Sequence, residues 1–220
     1  MRMTRYFFSV YYLPEDADYP LLAGRCISTL HGYTSHHPDT RIGVSFPDWT
    51  DTTLGRTIAF VSVNRRHLEQ LKERAYFKIL KEEKIFSISP VLKVPEYCPD
   101  VMFIRNQAIA KCFVKERKRR LERAKRRAEA RGEVFQPRVN SPLRSIEAFH
   151  GIFMQSISNG CSFLLHIQKK EARSQSNHMY CSYGLASNEV YTGHVPDLSS
   201  VVRNCFNNYF PPRENQGYIS

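Results

Sequence analysis

The sequence has no long hydrophobic run, since no stretch approaches the roughly 20 consecutive apolar residues that a membrane-spanning helix needs. The N-terminal segment MRMTRYFFSVYYLPED lacks the small-residue cleavage site of a signal peptide, and its Tyr, Phe and Val content is typical of a strand. CxxC pairs are also absent. We therefore expect neither zinc nor disulfides but free, mostly buried thiols in a reducing cytoplasm at all six cysteines (Cys26, Cys98, Cys112, Cys161, Cys181, Cys205).

Acidic residues are scarce relative to basic ones. The 220 residues include 32 Lys and Arg against 21 Asp and Glu, which gives a formal net charge of +11. With 42% hydrophobic and 24% charged residues, the composition is otherwise that of an ordinary globular protein, and the length allows one domain or two small ones. A positive excess of this size indicates an anionic polymer as partner.

The positive charge is concentrated in residues 111–131, where eleven Lys or Arg accompany three Glu. This segment, KCFVKERKRRLERAKRRAEAR, predicts a helix, because it is rich in helix formers and is followed by Gly132. Three acids cannot neutralise eleven bases, so contact with a nucleic-acid backbone is favoured over a solvated helix held by Glu–Arg pairs. The helix alone does not distinguish RNA, DNA and an anionic membrane. A narrow apolar strip is expected to dock it (Val114, Leu121, Ala124, Ala128).

The hydrophobic pattern predicts an α+β fold with an N-terminal ferredoxin-like βαββαβ domain and a C-terminal α/β region carrying the arginine-rich helix. Helices are predicted after the capping residues Asp18 and Asn64. The predicted strands are residues 5–13, 41–47, 55–63, 84–95, 161–168 and 179–185. We expect domains at 1–97 and 98–198, followed by a polar, irregular tail at 199–220, in which aromatic residues are candidate docking points (Phe206, Tyr209, Phe210).

Four features together resemble one known family. They are LHGY followed by RIGVSFPDW, FIRNQ leading into the arginine-rich helix, QSISNGCSFLLHI, and CSYGL. Their order and spacing over most of residues 1–195 are similar to those of the type I-F CRISPR repeat-processing endoribonucleases, which are subtype F of the CRISPR-associated protein six family. The string DWTDTTLGRTIAFVSVN resembles the variants encoded beside CRISPR-associated transposons more than the antiviral defence enzymes.

The resemblance implies an endoribonuclease that cuts precursor CRISPR RNA at the 3′ base of a repeat hairpin. The upstream ribose 2′-hydroxyl would be the nucleophile, with no metal or other cofactor, and the product would carry a 2′,3′-cyclic phosphate. The expected partners are the hairpin and the other subunits of a type I-F Cascade complex, with a transposition adaptor in the transposon context and target DNA only through the complex. A non-catalytic hairpin-binding scaffold remains the alternative, while a basic ribosomal or DNA-binding protein would explain the charge but not the four features.

Three residues match the family's catalytic positions. His31 corresponds to the catalytic histidine, whose ordinary pKa of about 6.5 suits a base near neutral pH. Ser156 corresponds to the serine that positions the ribose, and Tyr183 to the tyrosine that orients the histidine. Without the resemblance, these would be a histidine packed at a helix end, a serine in a turn and a half-buried aromatic on a strand.

Further positions match RNA-binding residues of the family. Arg105 and Gln107 correspond to an Arg-x-Gln pair that reads base edges at the foot of the stem, a task suited to planar donors. Ser158 corresponds to a second serine, and Phe163 to an aromatic that stacks on a nucleotide, although a core phenylalanine is the usual role on a strand. The helix would contact phosphates in the hairpin groove, and so supply affinity more than sequence specificity, through six basic residues (Lys115, Arg119, Arg120, Arg123, Arg126, Arg127).

Overall fold

The computed structural model describes residues 3–136, 147–155, 160–172, 177–187 and 190–206. Within these ranges the chain forms ten strands in two sheets, five α-helices and one 3₁₀ turn, so the predicted mixture of helix and sheet is confirmed. None of the described helices has the length and hydrophobicity that crossing a membrane would require.

The first sheet contains the N-terminal strands and is antiparallel throughout, with the order β2-β3-β1-β4 and β5 also paired with β1. Its strands are β1 (Tyr6–Tyr12), β2 (Gly43–Ser45), β3 (Thr57–Ser62), β4 (Phe86–Ile88) and β5 (Leu92–Lys93). The predicted strand at 84–95 is thus two short strands. Pro90 lies between them and has no backbone N–H for the ladder.

Three helices accompany this sheet: α1 (Tyr19–His36), α2 (Arg65–Lys72) and α3 (Ala75–Glu82). Both predicted N-caps are confirmed, because the side chain of Asp18 accepts from the Leu21 N–H at 2.9 Å and that of Asn64 accepts from the Arg66 N–H at 3.0 Å. The sequence analysis did not identify α3 as a separate helix; of its residues only Phe77 is fully buried.

The second sheet is built from the later strands in the order β10-β6-β8-β7, with β9 parallel to β6. Its strands are β6 (Asp100–Arg105), β7 (His150–Gln155), β8 (Ser162–Glu171), β9 (Ala186–Ser187) and β10 (Val195–Pro196). The strand predicted at 161–168 is confirmed as β8. The strand predicted at 179–185 is wrong, because its last five residues form a tight turn.

The arginine-rich segment forms α4 (Val114–Ala130) after a 3₁₀ turn at Ile109–Cys112, and Gly132 follows it with a φ of +71°, as predicted for a glycine just past a helix end. The expectation of an irregular tail from residue 199 is wrong for α5 (Ser199–Cys205), whose two valines are buried. Phe206 is also buried and stacks on Tyr11 at 5.5 Å. The other two candidate docking aromatics, Tyr209 and Phe210, lie outside the described residues.

The two sheets share one hydrophobic core, which crosses the predicted boundary between residues 97 and 98; the division into domains stays a prediction. Arg5, the residue before β1, forms a buried ion pair at 2.6 Å with Asp100, the first residue of β6. Phe46 packs edge-on against Phe103 with ring centroids 5.1 Å apart. A Cβ at Gly24 would lie 2.3 Å from the Phe153 carbonyl oxygen, so the backbone of α1 directly contacts β7.

All six cysteines are free, but the expectation that most are buried is wrong. Only Cys26 and Cys98 are buried, while the other four are half-buried (Cys181, Cys205) or exposed (Cys112, Cys161). The exposed pair lies in the 3₁₀ turn before α4 and just ahead of β8.

Candidate functional site

His31 lies on α1 directly after the buried Leu30, and its ring stacks on the ring of Tyr183. The two centroids are 4.8 Å apart and the planes are inclined by 28°. Nδ1 of His31 is buried and has no hydrogen-bond partner among the described residues. Among the described residues, it is therefore ring packing, rather than a hydrogen bond to Nδ1, that orients this imidazole.

Tyr183 occupies the tip of a tight turn at residues 181–185. The N–H of Gly184 donates to the Cys181 carbonyl at 2.8 Å, and the N–H of Cys181 donates to the Leu185 carbonyl at 2.9 Å. Gly184 has a φ of +74°, in the left-handed region that favours glycine. This pattern is typical of a three-residue hairpin loop that ends on a left-handed glycine, which is why CSYGL does not continue as a strand.

The turn is fixed against α1 and β2. A Cβ at Gly184 would lie 2.7 Å from Leu30 Cδ2 and 2.6 Å from Val44 Cγ2, so only glycine allows this approach. The N–H of Val44 donates to the Gly184 carbonyl at 2.7 Å, and the Thr34 hydroxyl donates to the Ser182 carbonyl at 3.2 Å. These contacts bring the Tyr183 ring onto His31.

Two residues from the second sheet complete the arrangement. The guanidinium carbon of Arg105, the last residue of β6, lies 5.1 Å from the centre of the Tyr183 ring, within the range of a cation–π contact. Phe163, near the start of β8, packs edge-on against Tyr183 at 6.4 Å. With its amide oriented so that the oxygen faces the guanidinium, Gln107 accepts from Arg105 Nε at 3.2 Å and from Nη2. We call His31, Tyr183, Arg105, Gln107 and Phe163 the His31 cluster.

The His31 cluster combines an imidazole, a guanidinium and two aromatic rings at a half-buried surface. An imidazole exchanges a proton near neutral pH, a guanidinium fork binds phosphate or a base edge, and aromatic faces stack on bases. Among the residues that the structure describes, no three His, Cys, Asp or Glu side chains come close enough together to hold a metal ion.

Helix α4 differs from this cluster in its exposure. In its described stretch, residues 118–130, only Ala128 is buried, while Leu121 is 41% exposed and Ala124 is exposed. The expected docking strip is therefore wrong for Leu121 and Ala124, which no described element covers, whereas Ala128 is buried and the side chain of Val114 is not described. α4 is held near its start, where the Phe113 ring stacks on the buried His166 at 5.6 Å and packs against Phe149 at 6.3 Å.

The predicted RNA-binding side chains on α4 reach solvent. Lys125 and Glu129 form an ion pair at 3.8 Å, and the excess of bases over acids leaves α4 strongly positive. Lys115 belongs to the helix, but its side chain is not described. Among the side chains of α4 that the structure describes, the exposed arginines are the five predicted ones (Arg119, Arg120, Arg123, Arg126, Arg127).

Ser156 and Ser158 lie outside the described residues, so their predicted roles stay predictions. Sequence patterns missed Thr34 and Gly184, which position the turn that carries Tyr183. The signal for Gly184 was present, since a glycine after an aromatic residue in CSYGL is a turn signal as well as an interruption of a strand.

A family model described as CRISPR-associated protein (Cas_Csy4) matches residues 8–197 of the chain. The matched region runs from β1 through β10 and contains the whole His31 cluster and α4. Among curated proteins, none matches this chain.

Proposed function

Because the chain belongs to the Csy4 family of CRISPR-associated proteins, we propose that it is a metal-independent endoribonuclease that cuts precursor CRISPR RNA at the 3′ base of the repeat hairpin. The family match supports a repeat-processing ribonuclease that binds CRISPR RNA. The observation that carries the finer proposal is the stacked His31–Tyr183 pair, which Arg105 and Phe163 border from the second sheet.

In this proposal the nucleophile belongs to the substrate. His31 takes the proton from the ribose 2′-hydroxyl upstream of the cut, and the 2′ oxygen bonds to the scissile phosphorus. The bond from phosphorus to the 5′ oxygen of the next nucleotide then breaks, and that oxygen takes up a proton. The products are a 2′,3′-cyclic phosphate and a 5′-hydroxyl, so no atom of the protein becomes bonded to RNA.

The neighbouring side chains would orient the reacting groups. The Tyr183 ring holds the imidazole plane, which keeps one nitrogen of His31 directed at the substrate. Arg105 and Gln107 would read base edges at the foot of the stem, and Phe163 would stack on a nucleotide beside the cut. Ser156 is proposed, from the resemblance alone, to position the ribose, with Ser158 near it.

α4 would bind the stem. Its exposed arginines can contact phosphates that cleavage leaves in place, so the protein would stay on the hairpin after the cut. We propose that the product complex becomes part of a type I-F Cascade complex in the cytoplasm, one that guides transposition if the chain is transposon-encoded. The proposed N-terminal ferredoxin-like arrangement is supported by the antiparallel strand order β2-β3-β1-β4, with α3 and β5 as additions to it.

The experiment that tests this function uses the hairpin repeat of the adjacent CRISPR array, incubated with the protein in EDTA. A parallel substrate carries a 2′-deoxyribose at the nucleotide before the cut. We expect cleavage of the first substrate and none of the second. Cleavage of the deoxy substrate, or a requirement for metal, would contradict the mechanism, and binding without cleavage of either would favour the non-catalytic scaffold.

A further inference from the structure

A groove of about 370 Å³ lies beside the His31 cluster. One wall is the last turn of α1 and the loop after it, including Thr34, Ser35 and Arg41. The other wall comes from residues 179–182 and 190–191, including Ser182 and Tyr191. No residue of β6 or β8 lines the groove, so it is distinct from the Arg105 and Phe163 side of the cluster.

The lining of the groove has the chemistry of a single-stranded nucleic-acid site. Its described lining residues include no Asp or Glu, and Arg41 is exposed at its rim, where Nη1 donates to the Pro38 carbonyl at 3.2 Å. The Ser182 hydroxyl can bond to a sugar or phosphate oxygen, while the hydroxyl oxygens of Thr34 and Ser35, whose hydrogens go to the Ser182 and His31 carbonyls, can accept from a ribose hydroxyl. Its exposed apolar surface includes Met179 at 44% and Tyr191 at 37%. The Tyr191 ring can stack on a base, and the Arg41 guanidinium can bind a phosphate. The lining therefore suits an RNA strand better than a cationic or wholly apolar ligand.

The groove lies next to the reacting groups along α1 and along the turn that carries Tyr183. Thr34 lies one helical turn after His31, and its hydroxyl donates to the carbonyl of Ser182, the residue before Tyr183. Thr34 and Ser182, which both line the groove, therefore adjoin the stacked pair of rings. Arg105 and Phe163 contact the same pair from the second sheet. If Arg105 and Gln107 hold the foot of the stem and Phe163 stacks beside the cut, as proposed above, the RNA 3′ of the cut lies next to the groove.

We propose that this groove binds the single-stranded nucleotides immediately 3′ of the cut; this inference rests on the proposed function. Arg41 contacts a phosphate of this strand, and Tyr191 provides a face for a base. The contacts hold the leaving 5′ oxygen in place before cleavage. After cleavage the short downstream strand is no longer joined to the hairpin, so it dissociates while the hairpin stays on α4.

A cross-linking experiment tests the placement without needing cleavage. The His31→Ala protein is mixed with a hairpin that carries 4-thiouridine at the second nucleotide 3′ of the cut, and irradiated adducts are mapped by mass spectrometry. We expect adducts in residues 34–42 or 177–191. Adducts confined to α4 or to any other surface would overturn the inference. Failure of the proposed function is seen separately, as absence of cleavage by the unmodified protein.

A kinetic comparison tests what the groove does. Substrates with one and with six nucleotides after the cut are cleaved by the unmodified protein and by a variant with Arg41→Ala and Tyr191→Ala. We expect the unmodified protein to have about a fivefold lower KM for the longer substrate, and the variant to lose this difference while binding the product hairpin normally. The matched control is Arg65→Ala, an exposed arginine paired with Glu69 on α2. Equal KM values for both substrates with the unmodified protein would overturn the inference, as would loss of the difference in the control.

Discussion

The His31 cluster and α4 carry their functional side chains in opposite ways. In the cluster, His31, Tyr183 and Phe163 are half-buried, and their rings are held by contacts with one another and with Arg105. In the described part of α4, only Ala128 is buried and the arginines reach solvent. Packing therefore fixes the geometry of the His31 cluster, whereas the described part of α4 exposes its positive charge and is packed little.

This difference separates two tasks. Proton transfer requires an imidazole within hydrogen-bond reach of one hydroxyl, so small displacements of a catalytic ring are costly. Phosphate binding by several arginines tolerates movement, because it depends on the number of charges more than on any one position. We therefore expect changes in the cluster to alter cleavage and changes in α4 to alter affinity.

The largest effect is expected for His31→Ala. The cleavage rate should fall by about 10²–10⁴-fold, since the general base is removed, while the Kd for the hairpin changes little. Single-turnover cleavage and fluorescence anisotropy measure the two quantities. His36→Ala is the matched control on the same helix, because the exposed His36 ring bonds only to the Gly32 carbonyl at 2.8 Å among the contacts described. Equal losses in both variants would contradict the assignment of His31.

A tenfold or larger loss of hairpin affinity is expected when Arg123, Arg126 and Arg127 are changed together to Gln. The slope of log affinity against log salt concentration should become shallower by about 2, because fewer counterions are released. Titrations at several salt concentrations give both quantities. The control removes three exposed charges elsewhere (Arg65, Lys78 and Lys93 to Gln). A similar loss of affinity in the control would mean that net charge, rather than α4, binds the hairpin.

Substituting one glycine with positive φ in each region compares how much local packing contributes to the free energy of unfolding. Gly184→Ala should lower the free energy of unfolding by about 2–4 kcal/mol, since the new Cβ adds overlap with Leu30 and Val44 to the left-handed backbone strain. Gly132→Ala at the end of α4 adds only the strain, about 1–2 kcal/mol, because nothing lies within 4 Å of its Cβ position. Urea denaturation measures both, and equal losses would contradict the packing described for the Tyr183 turn.

The smallest effect is expected for His166, whose ring stacks on Phe113 at the start of α4. Burial lowers the pKa of His166, which lies between Phe113 and Phe149. The unfolded chain therefore binds a proton more readily, so the stability due to neutral His166 is present above its ordinary pKa of about 6.5 and is lost as the pH falls below it. We expect His166→Leu to lose less stability than the unmodified protein between pH 7.5 and 5.5 in urea denaturation. An identical loss would show that His166 does not titrate in this range.

Two further histidines should make the stability of the His166→Leu variant fall as the pH is lowered. Burial also lowers the pKa of His178 and of His194, which lie near Arg5 and Asp100 where the two sheets meet. Both histidines are retained in the His166→Leu variant. The variant should therefore still lose stability at acid pH, though less than the unmodified protein.

Local signals were enough to predict α1 and α4. Asp18 caps α1 as expected, and the composition of the arginine-rich segment fixes the extent of α4 to within a few residues. β7 was missed because its sequence, HGIFMQ, is short and includes a glycine. The exposure of α4 could not be predicted either, since burial of its apolar strip depends on whether another element lies against it.

The candidate site required more than local pattern. His31 alone would have been taken for a packed histidine, and the family resemblance identified it together with Tyr183. Their contact depends on Gly184 lying against Leu30, residues more than 150 positions apart, and no local signal encodes such an approach. The stacking of the rings, with no hydrogen bond described at Nδ1, became visible only in the fold.

The most direct test of the claim that packing sets the catalytic histidine compares Tyr183→Phe with Tyr183→Leu. Single-turnover cleavage of the repeat hairpin is measured at saturating protein, with the Kd of each variant determined in parallel. We predict that Tyr183→Phe, which keeps a ring on His31, cleaves within about threefold of the unmodified protein, while Tyr183→Leu is slower by about 10- to 100-fold with unchanged Kd. Equal losses in both variants would contradict the account, because the hydroxyl rather than the ring would then be required, and so would full activity of Tyr183→Leu.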